Sequence, residues 1–141
     1  MNLVLDTSVL GMVCHPRKHG DVKRWLRGAR RVSGHLLYLP EVADFELRRE
    51  LQRIPSVASL RELDRLPLEI LYLPVTTAVM RDAASLWATL WNTGRPLGTA
   101  DALGADVILA AQARAVRATV VTENVSHLGR MVDAVTWRDV P

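Results

Sequence analysis

The chain has 141 residues, 49% of them hydrophobic and 23% charged, which is the size and composition of one globular domain spanning 1–141. A single cysteine, Cys14, excludes an internal disulfide, and no basic leader or membrane-length apolar run is visible, so a cytoplasmic chain without membrane contact is expected. The net charge of +3 points only weakly to nucleic acid; positive residues crowd the first half (Arg17, Lys18, Lys23, Arg24, Arg27 and beyond), and solvated helix faces explain them equally well.

Residues 3–5 read as a short buried strand ending at Asp6-Thr7-Ser8, which suits a turn or a helix N-cap. An amphipathic helix is expected over 21–29 and a second strand over 36–39. Pro40 suits the first turn of a helix running to about Arg53. A further helix over 56–66 stops at Pro67, and 70–73 reads as a short strand or an extended connection. A long helix over 76–93 ends at Gly94 and Pro96, and Thr99 caps the next, which runs through about Val116. The β-branched residues 119–122 form a strand, a helical turn follows near His127, and 135–137 read as a last strand. Short apolar strands alternating with helices predict an α/β fold with a small parallel sheet covered on both faces. In such sheets, sites form beyond the carboxyl ends of the strands.

Acids appear where acids are expensive. Asp6 directly follows the first strand, and Glu123 and Asn124 follow the strand over 119–122 in the same way. For Asp6, a plain helix N-cap is the competing explanation. Asp106 sits on a helical face among Leu103, Leu109, Ala110 and Ala113, with no arginine or lysine within a turn. A carboxylate there costs several kcal/mol of desolvation unless a positive charge meets it, and either a metal ion or a distant arginine would serve. Glu46 and Glu50 both lie near the apolar margin of their helix, and helical geometry does not choose between them; Glu50 can pair with Arg49 or Arg53. Asp101 stands in a helix first turn, where the macrodipole favours it, and lies about 140° around the helix from Asp106, so it is auxiliary at best. Several carboxylates at one edge suit the hard ions Mg²⁺ or Mn²⁺, which can activate water against a phosphodiester.

Four segments carry a family resemblance. The opening Leu3-Val4-Leu5-Asp6-Thr7-Ser8-Val9-Leu10 resembles the first motif of PIN-domain nucleases, including the VapC-type toxins. Residues 39–48, with Glu46 as the acid, resemble the second motif. Residues 106–113, opening on Asp106, resemble the third, and 120–128 resemble the fourth. The motifs stand in the family's order and reach from residue 3 to about 128.

The resemblance implies a three-layer PIN-like fold, a small parallel sheet between helices. It implies a metal-dependent endoribonuclease whose metal ligands are Asp6, Glu46 and Asp106. The fourth position, often aspartate in the family, is Asn124 here; its amide oxygen can accept a hydrogen bond from a water on the metal but adds no charge. Thr7, Asp101 and Glu123 are auxiliary positions. The need for charge favours Glu123 as the fourth group, whereas the motif chooses Asn124. An RNA substrate, an antitoxin partner and a homodimer are implied as well.

Remaining features read more plainly. His15 and His19 are spaced for zinc but lack a recognisable third ligand. Trp87 and Trp91, with Leu86 and Leu90, suit core or a subunit contact better than base stacking. An aspartyl-phosphate phosphatase would need an acid at Ser8, and a Rossmann domain would need glycines after the first strand. The stronger alternative is a catalytically weak or silent PIN fold that binds RNA or a partner, which Asn124 leaves open.

Overall fold

Leu3, Val4 and Leu5 of the first strand are fully buried, and the rest of the molecule is laid around them. The computed structural model describes residues 1–32, 34–94 and 100–141, and the side chains of these except at 100–102. Strands β1 (Asn2–Leu5), β2 (Leu36–Pro40), β3 (Leu71–Leu73), β4 (Thr119–Val121) and β5 (Ala134–Val135) form one parallel sheet in the order β3-β2-β1-β4-β5. The helices are α1 (Thr7–Val13), α2 (Gly20–Ala29), α3 (Glu41–Arg53), α4 (Val57–Arg65), α5 (Thr77–Asn92), α6 (Ala100–Ala115) and α7 (Val125–Leu128).

Strand alternation divides the core in two. Leu3, Leu5, Leu37, Leu39 and Val121 face one way, onto Val9, Leu10, Val22, Leu26 and Leu63 of α1, α2 and α4. Val4 and Val120 face the other way, onto Leu103, Val107 and Ala110 of α6 and onto Val79 and Ala83 of α5. This is the three-layer α/β arrangement expected from the sequence. Helix α6 carries buried residues nearly all round, as a central helix must.

The sequence reading needs few repairs. Pro40 is not in the first turn of α3 but is its N-cap and the last residue of β2, where its fixed φ of −76° is also extended-strand geometry. The 56–66 helix ends one residue sooner, because Pro67 sits in a 3₁₀ turn over Leu66–Leu68. Trp137 does not belong to the last strand; it opens a 3₁₀ turn over Trp137–Asp139 and packs on Trp25. Gly94, at φ +69°, closes α5 as expected, whereas Thr99 and Pro96 lie outside the described residues.

Because Pro40 has no side-chain cap to offer, the first amides of α3 need another partner. Gln112, fully buried on α6, supplies one. Its Oε1 accepts from the Val42 amide at 3.3 Å, and its Nε2 donates to the Leu73 carbonyl at 2.7 Å. One amide thus ties α6 to the start of α3 and to the end of β3, the edge strand.

An acidic edge at the strand crossover

The chain winds from β1 to β2 in one direction and later returns to place β4 on the other side of β1. The switch point lies between β1 and β4, and the carboxyl ends of strands at such a point are where this architecture collects ligands. Asp6 and Thr122 are the residues that leave these two strands.

Asp6 is the N-cap of α1 and is held from three sides. Its Oδ1 accepts from the Thr7 amide at 2.7 Å, and its Oδ2 accepts from Ser8 Oγ at 3.0 Å and from Thr122 Oγ1 at 2.7 Å. The capping explanation of Asp6 is therefore correct as far as it goes. The two hydroxyls converging on the other oxygen exceed what a cap requires.

Helix α3 brings Glu46 to the same place. Thr7 Oγ1 donates to Glu46 Oε1 at 3.0 Å, so adjacent residues 6 and 7 tie the edge of β1 to α3. Glu50 points elsewhere, to Arg53 at 2.7 Å, which resolves the ambiguity that helix geometry left. Burial pushes the Glu46 carboxyl above its ordinary range; the Thr7 hydroxyl opposes this, and the charges of Asp106 and Asp6 push it further up. Arg49, 3.8 Å from Glu46 Oε2, lowers it only slightly. All three acids named by the motifs thus share one electrostatic neighbourhood.

That upward push, mainly from burial, has a testable sign. A carboxyl whose folded pKa lies above its unfolded value binds protons more tightly in the native state, so stability falls as pH rises from the ordinary carboxylate range through the raised value. Glu46→Gln removes this slope. In chelator at pH 7 the variant should melt at the same temperature as the parent or higher, and its melting temperature should vary less between pH 4.5 and pH 7. A melt lowered by more than about 4 °C would show that Glu46 supports the fold instead.

Asp106 reaches the edge from α6, and the group it meets is the imidazole of His127. Nε2 of His127, on α7, lies 2.7 Å from Asp106 Oδ2. The expectation that only a metal or a distant arginine could meet Asp106 overlooked this histidine, while Arg114 pairs with Asp82. A signal was present: His127 stands three residues after Asn124, the spacing of neighbours on one helix face.

The residues after β4 separate cleanly. Glu123 is drawn away to Arg138, at 3.2 and 3.3 Å to its two oxygens, while its amide donates to Ser8 Oγ. Asn124 is the N-cap residue of α7, with its side chain uncommitted to capping and exposed, and its amide donates to Thr122 Oγ1 at 2.9 Å. The side chain of Asp101 lies outside the described residues.

Other candidates fall away from this edge. His15 and His19 form an edge-to-face pair, and the Nδ1 of His15 accepts from the amides of Arg17 and Lys18. Cys14 is a buried thiol pushed up to about 12, mainly by burial, and is inert at neutral pH. Trp87 and Trp91 stack at 5.2 Å on α5, with Trp87 against the second core cluster and Trp91 42% exposed.

The donor set can be matched to an ion. Asp6, Glu46 and Asp106 offer only hard oxygen, suited to Mg²⁺ or Mn²⁺. Glu46 is raised mainly by burial, and Asp106 and Asp6 add to that push, so a cation at this edge would meet negative charges. Among the described residues no three such side chains are already gathered into a cage, and Asp106 Oδ2 is engaged by His127. The residues fit a divalent cation by the chemistry of their donors.

Fold and edge together define a small parallel α/β domain with acids at its crossover. The PIN domain family model matches residues 3–128, and the chain belongs to that family. Solved structures agree in fold. VapBC2 from Rickettsia felis bound to a DNA fragment from their promoter superposes with a TM-score of 0.78 at 16% identity, covering 97% of this chain and 99% of that one. VapBC-1 from nontypeable Haemophilus influenzae gives 0.74 at 19%, covering 99% and 100%. FitAcB from Neisseria gonorrhoeae gives 0.72 at 21%, covering 98% and 99%. No curated protein matched the chain by sequence. As described, no helix among the described residues is long and apolar enough to cross a membrane.

Proposed function

We propose that the chain is a metal-dependent endoribonuclease, the toxin of a toxin–antitoxin pair, working at the acidic edge between β1 and β4. One observation carries the reading: Thr7 links two acids at the crossover, its amide donating to Asp6 Oδ1 and its hydroxyl to Glu46 Oε1, and Glu46, raised mainly by burial, also feels the charges of Asp106 and Asp6. An edge built only to stabilise the fold would not be loaded with like charge.

Asp6, Glu46 and Asp106 would hold Mg²⁺ or Mn²⁺. A bound divalent ion supplies the positive charge that activates water at neutral pH and offsets charge developing on the phosphate. The chain's own groups do the positioning. Thr7, Ser8 and Thr122 fix both oxygens of Asp6, and Thr7 also orients Glu46. His127 holds Asp106 through Oδ2. On this reading the nucleophile is solvent water.

The toxin assignment draws on the neighbours, which are VapBC and FitAB-type complexes. An antitoxin and a second copy of the chain are the partners this reading adds, and a cytoplasmic location goes with them. The half-exposed Trp91 on α5 offers apolar surface for a homodimer. The silent-module alternative rests on Asn124, which adds no charge. Cleavage of RNA in Mg²⁺ or Mn²⁺, lost in chelator, separates the two.

The fourth position has its own test. With Glu123 neutralised by Arg138, Asn124 is the group free to serve the edge. Asn124→Ala should lower cleavage at least about tenfold, Asn124→Asp should retain activity or tighten Mn²⁺ binding, and Glu123→Gln should matter less. Rates across a Mn²⁺ titration decide it; a dead Glu123→Gln beside a near-normal Asn124→Ala would move the role to Glu123.

A further inference from the structure

Phe45 is the chain's one phenylalanine, and it does not serve the core. It lies on α3 with 60% of its surface exposed, one residue before Glu46. An aromatic ring left in water beside a charged edge forgoes the stabilisation that burial would give it. Arg49, one turn along, places its guanidinium carbon 5.3 Å from the ring centroid, within cation–π range. Its Nη2 is 3.8 Å from Glu46 Oε2, too long for a hydrogen bond. Among the described residues Arg49 forms no hydrogen bond, so its planar donors stand available beside the ring.

These two side chains answer a problem that the acidic edge creates. Three carboxylates repel a polyanion, and without help a phosphodiester would be pushed away from them. A guanidinium next to Glu46 meets a phosphate, and an adjoining aromatic face takes an unstacked base without reading its hydrogen-bonding edge. A protein partner could also cover an exposed ring, but a guanidinium that makes no hydrogen bond at the rim of the acidic edge matches a phosphate better than an apolar contact.

We propose that Phe45 and Arg49 form a nucleobase-stacking subsite for single-stranded RNA, holding one base beside Glu46 while Arg49 meets the neighbouring phosphate. The proposal rests on the ribonuclease reading of the edge. It assigns Phe45 a substrate-positioning role that a core or capping residue would not have.

The test is fluorescence anisotropy with a labelled single-stranded RNA octamer in Mg²⁺, all proteins carrying Asp6→Asn so that the probe stays intact. Octamers with one abasic nucleotide at successive positions complete the set. Phe45→Ala should weaken binding of the intact octamer roughly tenfold, and Phe45→Trp should restore it. One abasic position should weaken the parent by the same factor and leave Phe45→Ala no further loss. Arg49→Ala should weaken binding and reduce the salt slope by about one.

Unchanged affinity of Phe45→Ala overturns the subsite, as does an equal further loss at every abasic position. A shift from dimer to monomer in light scattering, with the affinity loss tracking it, also overturns it and assigns the ring to a subunit contact. If the protein with Asp6 intact cleaves RNA while Phe45→Ala is indifferent, only the subsite fails. If that protein neither binds nor cleaves RNA, the ribonuclease reading fails and takes the subsite with it.

Discussion

Replacing Asp6 by asparagine is expected to reduce RNA cleavage by roughly three orders of magnitude, the same loss that chelator should produce in the unaltered protein. The size follows from what Asp6 does. It lies at the crossover of β1 and β4, and its two oxygens collect the Thr7 amide and the Ser8 and Thr122 hydroxyls. Asparagine keeps the shape and one acceptor oxygen but removes the charge that would hold a divalent ion. Its amide group also turns donors toward hydroxyls that now donate, so the cage loosens as well. The measurement is the cleavage rate of a single-stranded RNA with Mn²⁺ added stepwise, in a preparation freed of contaminating ribonuclease. Cleavage that survives in chelator, or is as fast in Asp6→Asn, would remove the metal from the mechanism.

Gln112→Ala should be the most destabilising single change away from the acidic edge, by about 3–4 kcal/mol. Three losses combine. A cavity opens where a fully buried side chain stood, the Val42 amide at the start of α3 loses its acceptor, and the Leu73 carbonyl loses its donor. Pro40 cannot take over the cap. For a domain of this size the loss is a large part of a total stability of about 5–15 kcal/mol. Gln112→Met fills most of the volume without the hydrogen bonds and should recover about half. Urea unfolding monitored by tryptophan fluorescence reads both. A cost under about 1 kcal/mol for the alanine variant would mean that water replaces the amide.

Both results depend on contacts between distant parts of the chain, and this marks how far the sequence could be read. Local pattern was enough for the elements. Three buried apolar residues before Asp6, β-branched residues at 119–122 and glycine at 94 each act through their own neighbours, so strands, helices and their order were legible. Placing acids after strands was equally legible, because the pattern of a parallel sheet fixes which end of each strand collects ligands. The motif resemblance then named Asp6, Glu46 and Asp106 in sequence order.

Tertiary structure alone chose among equals. Glu46 and Glu50 share a helix margin, and helical periodicity cannot tell which of them finds Thr7, 39 residues earlier. Glu123 and Asn124 leave the same strand, and the difference between them is Arg138, delivered by the turn after β5. Asp106 read as a carboxylate without a cation because its partner, His127, lies 21 residues away on a separate helix. Gln112 gains its role only because α3 and β3 each leave one orphan group beside it. A helix or strand pattern fixes the face a side chain occupies, through a repeat of 3.6 or 2 residues. Which group waits on the other side of that face is set by strand order and helix packing, and those follow from burying the whole chain at once.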